Sequence, residues 1–183
     1  MPMNKFLYFG DFAVIPFATL LFAYLSYRHL GFDGAPELVA AALFGVGLWT
    51  LVEYLVHRFA YHHAPVLSRM HHEHHEKPDE MIGVPSFVSS GLVISICYFP
   101  LAAFYPVLAC GFVSGMLIGY AAYMFVHHAT HHLAIGPDSF LYRARVRHMA
   151  HHYRDTTNFG VTTGLWDWVF RTERASSRGL ARH

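Results

Sequence analysis

Charge is what this sequence has least of. Asp, Glu, Lys and Arg make up 14% of its 183 residues, against 54% hydrophobic residues. Ordinary soluble domains carry about a quarter charged residues, so much of this surface is expected to face lipid. The net charge of +1 leaves no concentrated basic field, which excludes a nucleic-acid partner. Cysteine is nearly absent: Cys97 and Cys110 both lie inside apolar runs and form no CxxC pair. That excludes a thiolate metal site and a disulfide framework, and leaves them as small buried hydrophobes. No Glu-x-x-His triplet occurs, which excludes the glutamate-bridged dimetal architecture of soluble four-helix bundles.

What is present, first, is apolar length. Four stretches, 12–27, 38–56, 87–104 and 107–126, are candidate transmembrane helices in a single domain covering 1–183. Crossing the hydrocarbon core takes about 20 residues, with about 17 as the lower end. The first stretch is marginal and contains Pro16, so a tilt or kink is expected there. The third and fourth are separated by Tyr105-Pro106 and read as a helical hairpin. No small-residue cleavage site follows the first stretch, which is expected to be retained. Four crossings place the N-terminus, 57–85 and 127–183 on one side, with twelve of the thirteen cations; only Arg28 falls opposite. By the positive-inside rule that side, and both termini, are cytoplasmic.

The segments 57–85 and 127–183 are too polar to span and too apolar to be simple tails. Pro137-Asp138 predicts the start of an interfacial helix, with Phe140, Leu141, Ala144 and Met149 inward and Arg143, Arg147 and Arg154 towards headgroups. Gly111, Gly115 and Gly119 recur every four residues in the fourth span, a small-residue face for close helix packing.

Histidine is the excess: 16 residues, of which all but His29 and His183 fall in four clusters. These are His57, His62 and His63; His71, His72, His74 and His75; His127, His128, His131 and His132; and His148, His151 and His152. Residues three and four apart share a helical face. His71, His74 and His75 can therefore converge, as can His148, His151 and His152, and His127 pairs with His131. The pair His128 and His132 has the same spacing, so spacing alone does not choose between them. The five-residue step from His57 to His62 is about 140° on a regular helix, so those two share a site only where the helix ends or bends. Imidazole suits zinc, copper, iron and nickel. Ten converging imidazoles exceed what one metal uses, which implies two.

The motifs HRFAYH, HHEHH, HHATH and HMAHH, followed by NFGVTTGLWDWVFRT, resemble the fatty acid hydroxylase superfamily over about residues 53–172. That superfamily includes fatty acid 2-hydroxylases, sterol desaturases and methyl oxidases, and carotenoid hydroxylases. The resemblance implies an all-α fold, four transmembrane helices with a cytosolic helical cap enclosing a dimetal site. By position it implies the ligands His57, His62, His71, His74, His75, His127, His131, His148, His151 and His152. It further implies two iron ions, which zinc can replace in a purified sample, with O2 as co-substrate. The implied reaction is hydroxylation of an aliphatic C–H bond in a membrane lipid, and the Leu165-Trp166-Asp167 tail favours the 2-position of a fatty acyl chain. Eukaryotic relatives often carry an N-terminal haem domain that this sequence does not match, so a separate ferredoxin- or cytochrome-type electron donor is expected. Competing readings are a carotenoid or sterol hydroxylase or desaturase of the same superfamily and, from another class, a metal transporter or store.

Three carboxylates are candidates to support the ligands. Glu53 lies four residues before His57 inside an apolar run, where an unpaired carboxylate is costly. It is placed to accept an imidazole N–H and fix a tautomer, or else to pair with an arginine. Asp155 and Asp167 are weaker candidates, Asp167 with headgroup anchoring between Trp166 and Trp168 as its alternative role. Thr156, Thr157 and Asn158 are candidates to line the site mouth.

Overall fold

The computed structural model describes residues 2–174, and among these it is helical with no strand. The α-helices are α1 (Lys5–Phe9), α2 (Asp11–Leu30), α3 (Ala35–Leu55), α4 (Pro65–Glu76), α5 (Val88–Cys97), α6 (Phe99–Ala102), α7 (Pro106–His132), α8 (Tyr142–Tyr153) and α9 (Leu165–Val169). A 3-10 turn, Gly31–Gly34, joins α2 to α3, and a π-helical segment, Val56–Tyr61, follows α3 directly. Two compact units divide the described residues: 2–49 with 81–121, and 50–80 with 122–174.

In the first unit α7 packs on α3 at backbone distance. A Cβ on Gly115 would stand 2.0 Å from the Ala42 carbonyl oxygen, and one on Gly111 2.3 Å from that of Leu38. At Gly119 the obstacle is Trp49, with a Cβ 2.5 Å from the tryptophan's own. The four-residue glycine repeat is thus a contact stripe. Two turns of backbone can meet only where no side chain intervenes.

The start of α2 is anchored by Asp11, fully buried. Its carboxylate accepts from the Phe87 N–H (2.9 Å), the Ser90 hydroxyl (2.7 Å) and the Tyr120 hydroxyl (3.1 Å), while its own N–H donates to the Ser86 Oγ (3.1 Å). Phe87 takes a left-handed conformation (φ 72°) to present that N–H. Burying a carboxylate is tolerable only with such partners.

Among the described residues, two stretches are long and apolar enough to cross a bilayer, Lys5–Tyr61 and Pro106–His132. The first contains α2 and α3, of 20 and 21 residues, and α2 continues through Pro16. The expected third span, 87–104, is not one helix. Val88–Ala102 is apolar but short, and it divides into α5 and α6 before Pro100, which lacks the N–H to continue the ladder.

Two other expectations are corrected. The helix expected to start at Pro137-Asp138 begins at Tyr142, because 136–142 closes as successive turns from Gly136 O to Ser139 N and from Ser139 O to Tyr142 N. Leu141 and Ala144 do face inward, but Phe140 is 87% exposed. The helix of the fourth span, expected over 107–126, runs on to His132 as α7 and carries all four histidines of the third cluster on its last two turns.

Candidate metal centre

Four segments of the second unit, the π-helical segment, α4, the end of α7 and α8, deliver histidines, each by its own local geometry. Pro65 in the first turn starts α4, whose HHEHH sequence puts His71, His74 and His75 on one side. His72 falls opposite, exposed, with its ring nitrogen 3.4 Å from Glu76. On α8 the spacing of His148, His151 and His152 does the same, and His148 and His151 are fully buried. His57 and His62 are reconciled by the π-helical segment between them: its wider turn brings residues five apart together, and the two rings stack at 5.6 Å. At the end of α7 the choice left open by spacing is made by orientation. His131 points to His74, His148 and His152, whereas His128 and His132 stack on each other at 4.4 Å.

Two groups result. His57, His62, His71 and His151 form one; His74, His131, His148 and His152 form the other. Within each, one nitrogen per ring lies within 4.8 Å of all the others. In the first, the Nε2 of His71 is 3.1 Å from that of His57 and 3.5 Å from that of His151. In the second, His131 and His148 bring their Nε2 atoms to 2.7 Å. The remaining two candidates border these groups. His75 stacks on His152 at 4.1 Å and meets His71 and His151 at 4.4 and 4.8 Å. His127 contacts His74, His131 and His148 at 4.7 to 4.9 Å. All ten named histidines therefore lie in one cluster. His63 and His29 are exposed, and His183 lies outside the described residues.

The cluster suits a metal. The Nε2 atoms of His62, His75 and His152 and both ring nitrogens of His74 are buried without a hydrogen-bond partner among the described residues. A buried unpaired polar atom costs about 1–3 kcal/mol, and several converging on one point are explained by a shared cation. The rings are also in the protonation state a cation needs. Burial, then repulsion between neighbouring rings, pushes His75 down to about 4 and His74 to about 3. His151, again chiefly through burial, falls to about 3, and His71, His148 and His152 are lowered likewise. Neutral imidazole nitrogens exceeding six suit iron or zinc and are unsuited to magnesium or calcium.

Backbone carbonyls orient two of these rings. His57 Nδ1 donates to the Phe159 oxygen (2.5 Å) and His151 Nδ1 to the Thr157 oxygen (2.8 Å). A carbonyl at Nδ1 fixes the proton there and leaves Nε2 as the free lone pair. These acceptors belong to the loop after α8, where sequence offered the Thr156, Thr157 and Asn158 side chains; Thr156 is exposed. Thr157's side chain instead bonds the Arg154 carbonyl, and Asn158, at φ 57°, exchanges bonds with the Arg174 backbone.

The supporting carboxylates act differently from expectation. Glu53 bonds the loop rather than an imidazole: Oε1 accepts from the N–H of Val161 and Thr162 (2.7 and 2.9 Å), and Oε2 from the Thr162 hydroxyl (2.6 Å). Asp167 is fully buried and is no headgroup anchor; it accepts from the N–H of Phe159 and Gly160, each at 2.8 Å, and from the Thr172 hydroxyl. Arg147, expected to face headgroups, donates to the carbonyls of Gly160 and Val161, each at 2.7 Å. Gly160 is required by this packing, since a Cβ would stand 2.1 Å from the Thr163 carbonyl oxygen. Asp155 is exposed and lines, with Tyr61, His62, Arg69, His71 and His75, an open cavity of about 440 Å³ beside the first group. Its charge favours the protonated form of His62 and His75, against their burial.

The sequence profile of the fatty acid hydroxylase family matches residues 42–172. Fatty acid 2-hydroxylase of Rattus norvegicus is 33% identical over 153 residues, 75% of this chain and 41% of that protein. Ceramide very long chain fatty acid hydroxylase scs7 of Schizosaccharomyces pombe is 32% identical over 156 residues, covering 76% of this chain and 44% of its own. Dihydroceramide fatty acyl 2-hydroxylase FAH2 of Arabidopsis thaliana is 30% identical over 148 residues, 75% of this chain and 62% of that one. The chain thus spans about two fifths of the rat protein's length. Among solved structures, full-length scs7p with only its hydroxylase domain visible shares the fold: TM-score 0.73 at 23% identity, over 99% of this chain and 70% of that one.

Proposed function

The chain belongs to the fatty acid hydroxylase family, and from that membership we propose that it hydroxylates an aliphatic C–H bond of a membrane lipid, at the 2-position of a fatty acyl chain. The observation that carries this reading is the pair of four-imidazole groups side by side in one unit. We assign the ligands of two iron ions to those eight residues together with His75 and His127. Bound iron would supply the reduction of O2, one atom entering the C–H bond and the other leaving as water, with two electrons from a separate ferredoxin- or cytochrome-type donor and two protons from solvent.

The chain's own part is to bind, orient and exclude water. His57 and His151 present Nε2 because Phe159 and Thr157 hold their Nδ1 protons. His57, His74, His148 and His151 are themselves shielded from bulk water, while the open cavity reaches the centre on the side of His62, His71 and His75. Asp155, at the edge of the open cavity, is placed to tune His62 and His75 by charge. We further propose that α2, α3, the α5–α6 segment and α7 form a four-crossing membrane base. The lengths of α2, α3 and α7 support this, and the α5–α6 segment is the short member. The histidine-bearing segments then form a cap on the cytoplasmic side, with twelve of thirteen cations.

Mass spectrometry of lipid extracts from a host with and without this chain tests the assignment. Appearance of 2-hydroxy acyl chains is expected. Hydroxylated carotenoids or sterols with acyl chains untouched would sink it.

A further inference from the structure

Residues 157–163 form a loop held from three sides by buried or half-buried charged side chains. Asp167 takes the N–H groups of Phe159 and Gly160, Glu53 those of Val161 and Thr162, and Arg147 the carbonyls of Gly160 and Val161. The loop carbonyls of Thr157 and Phe159 go to His151 and His57. Both imidazoles belong to the same four-nitrogen group, and both face the Nε2 of His71. In the other group the Nδ1 atoms of the two buried rings, His74 and His148, have no hydrogen-bond partner among the described residues.

We propose that Asp167 is a positioning residue for one metal of the two, acting through the Phe159 and Gly160 backbone to hold His57, and that the two metal sites are therefore unequal. This rests on the ligand assignment above. Asp167 touches no imidazole; its two oxygens fix the position of Phe159, whose carbonyl fixes the tautomer and tilt of His57. Glu53 and Arg147 grip Gly160, Val161 and Thr162, and Thr157 and Asn158 keep their bonds to Arg154 and Arg174, so a loss at Asp167 leaves the loop attached and releases the Phe159 and Gly160 N–H groups between those holds. Partners of this kind typically contribute about 10–100-fold to metal affinity. That contribution should fall on the group containing His57 and His151 and not on the group containing His74 and His148.

The experiment is Zn2+ titration of the metal-stripped full-length protein in detergent, with bound metal counted by elemental analysis. His57→Ala and His152→Ala each remove one group and isolate the other. Asp167→Asn keeps an acceptor for one backbone N–H but turns a donor towards the other. It is expected to weaken Zn2+ binding about 10–100-fold in the His152→Ala background and to leave the His57→Ala background unchanged. Equal weakening in both backgrounds would mean a merely structural role and would overturn the proposal, as would no weakening in either. Arg147→Lys keeps the charge but loses the paired donors to the Gly160 and Val161 carbonyls; should Asp167→Asn fail to fold, the same split between backgrounds decides. If His57→Ala and His152→Ala each still bind metal as the unaltered chain does, the ligand assignment itself fails, and the proposal with it.

Discussion

A histidine that must bind metal at neutral pH has to be unprotonated, and in this cluster burial sees to that before any metal arrives. His75 lies near 4, and His74 and His151 near 3, all below the ordinary value of about 6.5. The folded metal-free protein therefore binds fewer protons than the unfolded chain between about pH 6.5 and those values. Stability rises with pH wherever the unfolded state holds more protons. The contribution is fully present above about pH 6.5 and is lost as pH falls towards 4 and then 3. Thermal midpoints of the stripped protein should be level from pH 7.5 to 6.5 and drop steadily from 6.5 to 4.5. A midpoint unchanged down to pH 4.5 would contradict the buried, neutral cluster. Most of these residues were legible in the sequence, since three- and four-residue spacings are local facts of helix geometry. The orienting groups were not. Phe159 and Thr157 act through backbone carbonyls, which every residue has, so no side chain marks them. Glu53 was legible as a buried carboxylate and Asp167 only as a weaker candidate beside a headgroup role, and their partners, 108 and 7 residues away, required the fold.

At the scale of elements, close packing and the π-helical segment do the positioning. The contact of α7 on α3 depends on Gly115, and a methyl group there would meet the Ala42 carbonyl oxygen at 2.0 Å. Gly115→Ala should destabilise the protein by about 1–3 kcal/mol, the usual cost of overpacking. Gly47, also inside α3, offers a contrast, because a Cβ there has nothing within 4 Å. Gly47→Ala should stabilise by about 0.5–1 kcal/mol through the backbone entropy it removes from the unfolded chain. Detergent thermal melts of the two variants should move in opposite directions; movement in the same direction would refute the packing account. The glycine repeat was readable because a period of four marks one helix face. The interruption at α5–α6 was under-read: Pro100 was visible, but apolar composition says nothing about where a hydrogen-bond ladder stops. The His57–His62 step was readable as a conflict that a regular helix could not satisfy, and the π-helical turn is its resolution.

For the whole molecule the two units differ in what holds them. Residues 2–49 and 81–121 rest on apolar contacts, the glycine stripe and the saturated Asp11 network. Residues 50–80 and 122–174 gather all ten named histidines in one cluster, four of them buried, where ring nitrogens meet at 2.7 to 3.5 Å with several unpaired. Without a cation those nitrogens are buried lone pairs facing one another; with one they are its ligands. Anything that binds the folded state alone stabilises it by mass action, about 4 kcal/mol at a thousandfold excess over Kd. Chelation should consequently act on one unit. Hydrogen exchange of the protein in detergent should show amides of α4 and α8 losing protection when metal is stripped, while those of α2 keep theirs. Restoring Zn2+ should restore α4 and α8. Loss of protection spread evenly over α2, α4 and α8 would mean that the metal stabilises the fold globally, and no loss anywhere would mean that the imidazole cluster stands without it.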